Sequence, residues 1–165
     1  MAVWGTSSGG NAALLVGLTG DDPVYKTEEY SEYSDAVNVV AECFGPTDIP
    51  QLMKALMAGR SEEPSEGANI FMGLAGGDLS KVDEIAEKMS PIFLVEEGKT
   101  APPCLLLHGD ADPLVPFAQM TSLYEKMKKC GYTVEGVQIE GAGHEGNFWS
   151  DEVYETIESF IKKYI

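Results

Sequence analysis

Near the start of the chain, in Gly5-Thr6-Ser7-Ser8-Gly9, two serines stand side by side, and only Ser7 has glycine both two residues before it and two after. For Ser8 the corresponding neighbours are Thr6 and Gly10. The pattern G-x-S-x-G suits a serine carried on a sharp turn from strand to helix, with its hydroxyl lifted clear of the sheet. Such a turn forces a strained backbone at the serine and brings neighbouring backbone close, which leaves no room for a β-carbon at either flank. The helix that follows aims its N-terminal amides at the same spot, where they stabilise developing negative charge. Ser8 then offers its backbone N–H to an oxyanion.

A serine nucleophile needs a base, and the chain has two histidines. His108 ends an apolar run in HGDADPLVP, a position that suits packing or hydrogen bonding. His144 lies in GAGHEGNFW, a glycine-flanked loop that can project a side chain over a sheet edge. The base in turn needs a carboxylate to fix its tautomer and stabilise its charged form. Asp110 and Asp112 both follow the same run; Asp112 is carried further out, whereas Asp110 is close enough to the turn to cap backbone amides. The candidates therefore run in the order Ser7, Asp112, His144, each just after a strand.

Four apolar runs, separated by helical patterns, must position these residues, and that alternation is the mark of an α/β fold with a mostly parallel sheet and crossover helices. The runs are residues 2–4, 36–44, 104–108 and 133–140. NAALLVGL suits a buried helix after the first. In PTDIPQLMKALMAG, Thr47 or Asp48 can cap a short helix that buries Leu52, Met53, Leu56 and Met57. The polar stretch RSEEPSEGAN reads as a surface loop, and LSKVDEIAEKMSP as an amphipathic helix with Val82, Ile85, Ala86 and Met89 on one side, ended by Pro91. VPFAQMTSLYEKMKKCG is a helix stopped by Gly131, and DEVYETIESFIKKYI closes the chain with acids first and lysines last. No repeat or linker divides the 165 residues, so a single domain is expected, with residues 47–90 forming a cap-like segment of helix and loop.

Composition narrows the functions open to such a domain. Apolar residues make up 44% and charged residues 23%, which excludes a disordered chain. Acids outnumber bases 27 to 11, a net charge of −16 that repels nucleic acid and anionic membrane surfaces. Cys43, Cys104 and Cys130 are odd in number and widely spaced, so neither a disulfide framework nor a zinc site is indicated. No apolar run is long enough to span a membrane, and no signal peptide is visible.

Taken together, VWGTSSGGNAALL, VVAECFGPTDI, SPIFLV, PPCLLLHGDADPLVPFAQ and GAGH resemble an α/β-hydrolase of the esterase and lipase superfamily, in particular bacterial carboxylesterases of the feruloyl- and acetyl-esterase kind. The resemblance implies Ser7 as nucleophile, Asp112 as acid and His144 as base, with the Ser8 amide in the oxyanion hole and no metal or organic cofactor. The implied substrate is a small-molecule or carbohydrate ester, including acyl groups on plant polysaccharide. A prolyl-oligopeptidase-like peptidase shares the triad order, but FGPTD and the small residue at position 8 favour the esterase.

Two departures accompany the resemblance. Ser8 stands where relatives carry alanine, an equally small residue. More consequentially, the serine turn belongs after the fifth of eight strands in that superfamily, so the chain corresponds to its C-terminal portion. The four missing strands would take with them a loop that supplies a second oxyanion N–H, and loss of one such donor costs about 100- to 1000-fold in rate. Two further expectations follow. The first strand presents an open apolar edge that recruits another chain, giving a homo-oligomer; and a folded but catalytically silent fragment stands as the alternative to an active esterase.

Overall fold

The computed structural model describes residues 1–57, 73 and 77–165. Four strands, β1 (Ala2–Thr6), β2 (Val39–Cys43), β3 (Cys104–Gly109) and β4 (Val134–Ile139), form one sheet in the order β1-β2-β3-β4. Every pairing is parallel, with Ala2 opposite Val39, Val40 opposite Cys104, and Cys104 opposite Val134. Parallel neighbours require crossovers, which explains the helices between the strands. The expected α/β class is the one observed.

Because successive side chains leave a strand on opposite faces, the apolar runs build two cores. On one face Val40, Cys104, Leu106 and Val134 meet Ala13 and Leu14 of helix α1 (Ser8–Thr19) and Met120, Leu123 and Met127 of helix α5 (Ala118–Lys129). On the other, Val39, Ala41, Cys43, Leu105 and Leu107 meet Val153, Ile157 and Phe160 of helix α6 (Asp151–Tyr164). β2 and β3 are buried at every position, as strands covered on both faces must be. α1 lies close enough to β2 that a β-carbon at Gly17 would stand 2.3 Å from Val40 Cγ2.

Local chemistry sets the boundaries. α5 stops at Gly131, whose φ of 82° suits a residue without a β-carbon. α6 has Val153, Ile157 and Phe160 at helical spacing, Ser150 accepting the Val153 N–H at its start, and Lys162 and Lys163 in its last turn. The second strand is shorter than its apolar pattern: β2 begins only at Val39, just after the Asn38 N–H bonds the Met1 carbonyl.

Between β2 and β3 lie α2 (Ile49–Met57), a 3-10 turn (Leu79–Lys81), α3 (Val82–Lys88) and α4 (Pro91–Leu94). Asp48, rather than Thr47, caps α2 by accepting the Gln51 N–H at 2.9 Å. Thr47 is buried and donates its hydroxyl to the Gln119 carbonyl. Pro91 ends the α3 pattern as expected but also opens α4, the helix position where its missing N–H costs nothing. The RSEEPSEGAN stretch and the side chains of Leu56 and Met57 lie outside the described residues. Among the described residues no helix is long and apolar enough to cross a membrane.

Candidate active site

Ser7 sits between β1 and α1 with φ 51° and ψ −123°, a left-handed conformation that a residue with a side chain adopts only when its surroundings impose it. The surroundings here are specific. Its N–H donates to the Cys43 carbonyl at 2.9 Å, and its carbonyl accepts from Asn11 N at 3.1 Å. At Gly5 an added β-carbon would lie 2.0 Å from the Gly9 carbonyl oxygen, so the turn cannot form with any other residue there. Gly9 differs from the sequence expectation: a β-carbon at this flank would meet open space, so the steric demand falls on Gly5 alone. Ser8 is the first residue of α1, and its N–H therefore precedes the intrahelical bonding pattern.

Asp112 follows β3 with its side chain fully buried. Its Oδ1 accepts the backbone N–H groups of Leu114 and Val115 at 2.8 and 2.9 Å, which lock the carboxylate in place. Oδ2 faces His144. Asp110 is turned elsewhere: its carboxylate accepts from Gly141 N and from Gln138 Nε2, both at 2.7 Å, and caps the turn after β4.

His144 follows β4 in a loop fastened at several points. Asn147 accepts from Gly143 N and donates to the Gly141 carbonyl, while Ala111 N donates to the Ala142 carbonyl and so ties this loop to the one bearing Asp112. The residue after His144, Glu145, has φ 66° and accepts the Trp149 indole N–H.

These three loops meet over the C-terminal ends of the strands. His144 Nδ1 donates to Asp112 Oδ2 at 2.7 Å, and the Ser7 hydroxyl donates to His144 Nε2 at 2.9 Å. Ser7 and Asp112 are 105 positions apart in sequence, yet one imidazole bridges them. A hydroxyl bonded to an imidazole that a buried carboxylate orients can lose its proton as it attacks an electrophilic carbon.

His108 lies beneath this chain, fully buried. Its Nε2–H donates to the Val115 carbonyl at 2.9 Å and lies 3.4 Å from Asp112 Oδ2. Burial holds its pKa below the ordinary imidazole value, so it stays neutral. The thiols of Cys43 and Cys104 are pushed up to about 12 by burial and offer no competing nucleophile.

Two neighbours escaped the sequence reading. Phe44, at φ 44°, sets its ring edge-on to His144 with centroids 4.7 Å apart. Glu42 is an acid within an apolar strand, wholly buried, and burial raises its pKa to about 8. The charge in VVAECF was the available signal for Glu42; nothing in the sequence marks the left-handed turn at Phe44.

A sequential parallel sheet, with a serine on the turn into a helix and an acid and a histidine on the later strand ends, defines an α/β-hydrolase, and the comparisons place it among the esterases. Residues 1–127 match the BD-FAE family model and residues 90–165 that of Phospholipase/Carboxylesterase. The chain belongs to the BD-FAE family. It is 29% identical to esterase LipC of Mycobacterium tuberculosis over 147 residues, 87% of this chain and 34% of that protein. A truncated carbohydrate esterase from gut microbiota shares its fold at a TM-score of 0.75 and 24% identity, over 96% of this chain and 57% of the other. Butyrate-bound esterase Est2 of Thermogutta terrifontis does so at 0.69 and 22%, over 98% and 55%. The chain thus spans a third of LipC and somewhat more than half of these solved esterases.

Glu42 also makes stability depend on pH. Below its ordinary value of 4.5 both folded and unfolded chains hold the proton; above it the unfolded chain releases the proton while the folded chain keeps it until about pH 8. The contribution of this group is therefore fully present in acid and is lost as pH rises to about 8, by on the order of a few kcal/mol. Urea unfolding at pH 5.5 and 8.5 should show a smaller loss for Glu42→Gln than for the parent; equal losses would exclude a raised carboxyl.

Proposed function

We propose that this chain is the part of a carboxylic esterase that carries its complete catalytic triad. The observation that supports this reading best is the continuous hydrogen-bond chain from the Ser7 hydroxyl through His144 to Asp112. In the reaction, His144 Nε2 takes the Ser7 proton as Oγ attacks the ester carbonyl carbon, and the carbonyl π electrons move onto oxygen. The Ser8 N–H, at the positive end of α1, binds that oxyanion. As the tetrahedral intermediate collapses, His144 returns the proton to the leaving alcohol and Ser7 holds the acyl group. Water, deprotonated by His144, then attacks the acyl carbon, and Ser7 leaves with the proton. Asp112 stabilises the imidazolium in both halves, and the cycle needs no metal or organic cofactor.

The substrate we favour is an acylated carbohydrate, including acylated plant polysaccharide. Membership of the BD-FAE family supports an ester, and likeness to a carbohydrate esterase and to a bifunctional GH43-CE protein of Bacteroides eggerthii supports the carbohydrate. The net charge of −16 suits a neutral substrate better than a polyanion.

Among the described residues β1 is bonded only to β2, and Trp4 on it is 45% exposed beside Tyr154 and Ile161. We propose that this edge pairs two copies of the chain. Light scattering should give a mass above that of one chain, and Trp4→Lys should lower it; a single-chain mass for the parent at working concentration would contradict the pairing.

Hydrolysis of p-nitrophenyl acetate tests the triad. Ser7→Ala should abolish turnover, and Asp112→Asn should lower kcat by about 10⁴-fold by favouring the wrong imidazole tautomer. Turnover that survives Ser7→Ala would contradict the reading.

A further inference from the structure

The carboxyl group of Glu42 takes no part in the chemistry above, yet it is fully buried directly under the serine turn. Its Oε1 accepts the backbone N–H of Gly45. The same oxygen lies where a β-carbon on Gly10 would come within 3.1 Å, so the carboxyl fills the space between the first turn of α1 and the bend that follows β2. Its Oε2 has no hydrogen-bond partner among the described residues. Burying a polar atom without a partner costs free energy, and a leucine here would fill similar space without that cost.

The bend that Glu42 holds has two outputs. Cys43 offers the carbonyl that takes the Ser7 N–H, and Gly45 packs so closely that a β-carbon there would lie 2.8 Å from the Ser7 carbonyl oxygen. Between them, Phe44 is held left-handed and lays its ring against His144 and Phe148. Serine and histidine are therefore both referenced to one four-residue turn.

We propose that Glu42 is a positioning residue for this site: its carboxyl group, by holding Gly45 against the start of α1, keeps Ser7 strained and the Phe44 ring on His144. This rests on the esterase reading of Ser7, His144 and Asp112. Raised to about 8, the carboxyl is neutral at pH 7 and acts by hydrogen bond and shape. Above about pH 8 it places a negative charge under the amides that face the oxyanion, and charge of that sign opposes the transition state.

The groups around it do not duplicate this titration. Cys43 on its own strand and Cys104 on β3 are both raised to about 12, and His108, on the same face of β3, is held neutral. The turn presents Ser7, and α1 presents Gly10 and Asn11, none of which titrates in this range. The Asn11 side chain donates to the Pro46 and Met89 carbonyls and so fastens the far side of the bend.

The test compares the parent, Glu42→Gln and Glu42→Ala, by p-nitrophenyl acetate hydrolysis from pH 6 to 10 and by the ¹⁵N signals of the His144 ring over the same range. Glutamine keeps the acceptor for Gly45 and cannot ionise; alanine removes both. The parent should lose kcat above about pH 8 and Glu42→Gln should not. Glu42→Ala should lower kcat by about tenfold or more with KM little changed, and Glu42→Gln should recover most of that loss. The His144 signals should step near pH 8 in the parent and not in Glu42→Gln. An alkaline fall unchanged in Glu42→Gln, or alanine as active as glutamine, overturns the proposal. If hydrolysis proves independent of Ser7, the esterase reading fails instead, and the His144 step, present or absent, then decides the role of Glu42.

Discussion

The left-handed backbone at Ser7 is the constraint on which the rest of this structure depends. A non-glycine residue at φ 51° stores strain, and that strain persists only because neighbouring structure leaves no alternative. Parallel pairing of β1 with β2 brings the Cys43 carbonyl to the Ser7 N–H, α1 returns the Asn11 N–H to its carbonyl, and Gly5 lets the two arms of the turn touch. Without the sheet beneath it, the chain would relax to an ordinary helix start and the hydroxyl would point elsewhere.

Asp112 and His144 reach the serine by the same logic with different means. β3 and β4 end side by side because they are neighbours in register from Cys104 to Gly109, so the loops after them emerge together. At Gly109 the approach is so close that a β-carbon would stand 2.3 Å from the Ala142 carbonyl oxygen. Backbone N–H groups fix Asp112, Asn147 and Asp110 fasten the loop of His144, and the imidazole is left with one nitrogen for the acid and one for the serine. Preorganisation of this kind matters because misplacement by about 1 Å can cost 10²-fold in rate.

Much of this could be read from residue types and spacing. Parallel strands buried on both faces left continuous apolar runs, and glycines two residues either side separated Ser7 from Ser8. Distance from the end of β3 separated Asp112, which faces His144, from Asp110, which caps a turn. What stayed hidden arises from contacts between distant segments. Phe44 reads as the last apolar residue of a strand, its N–H still bonds the Leu107 carbonyl of β3, and only its φ of 44° reveals that it turns. Asn11 looks like an ordinary helix residue until its amide is seen bonded to Pro46 and Met89. Glu42 was visible as a charge in an apolar run, but its depth depends on α1 packing over β2. The strict glycine requirement inferred at Gly9 did not hold, because the space beside it is open.

The central claim is that the fold makes one serine among many nucleophilic, and a fluorophosphonate probe reads that property directly. Treating the folded chain with the probe and weighing it by intact mass spectrometry should show a single adduct, mapped to Ser7 and missing when His144 is replaced by alanine. An adduct on another residue, or none on well-folded protein, would contradict the account.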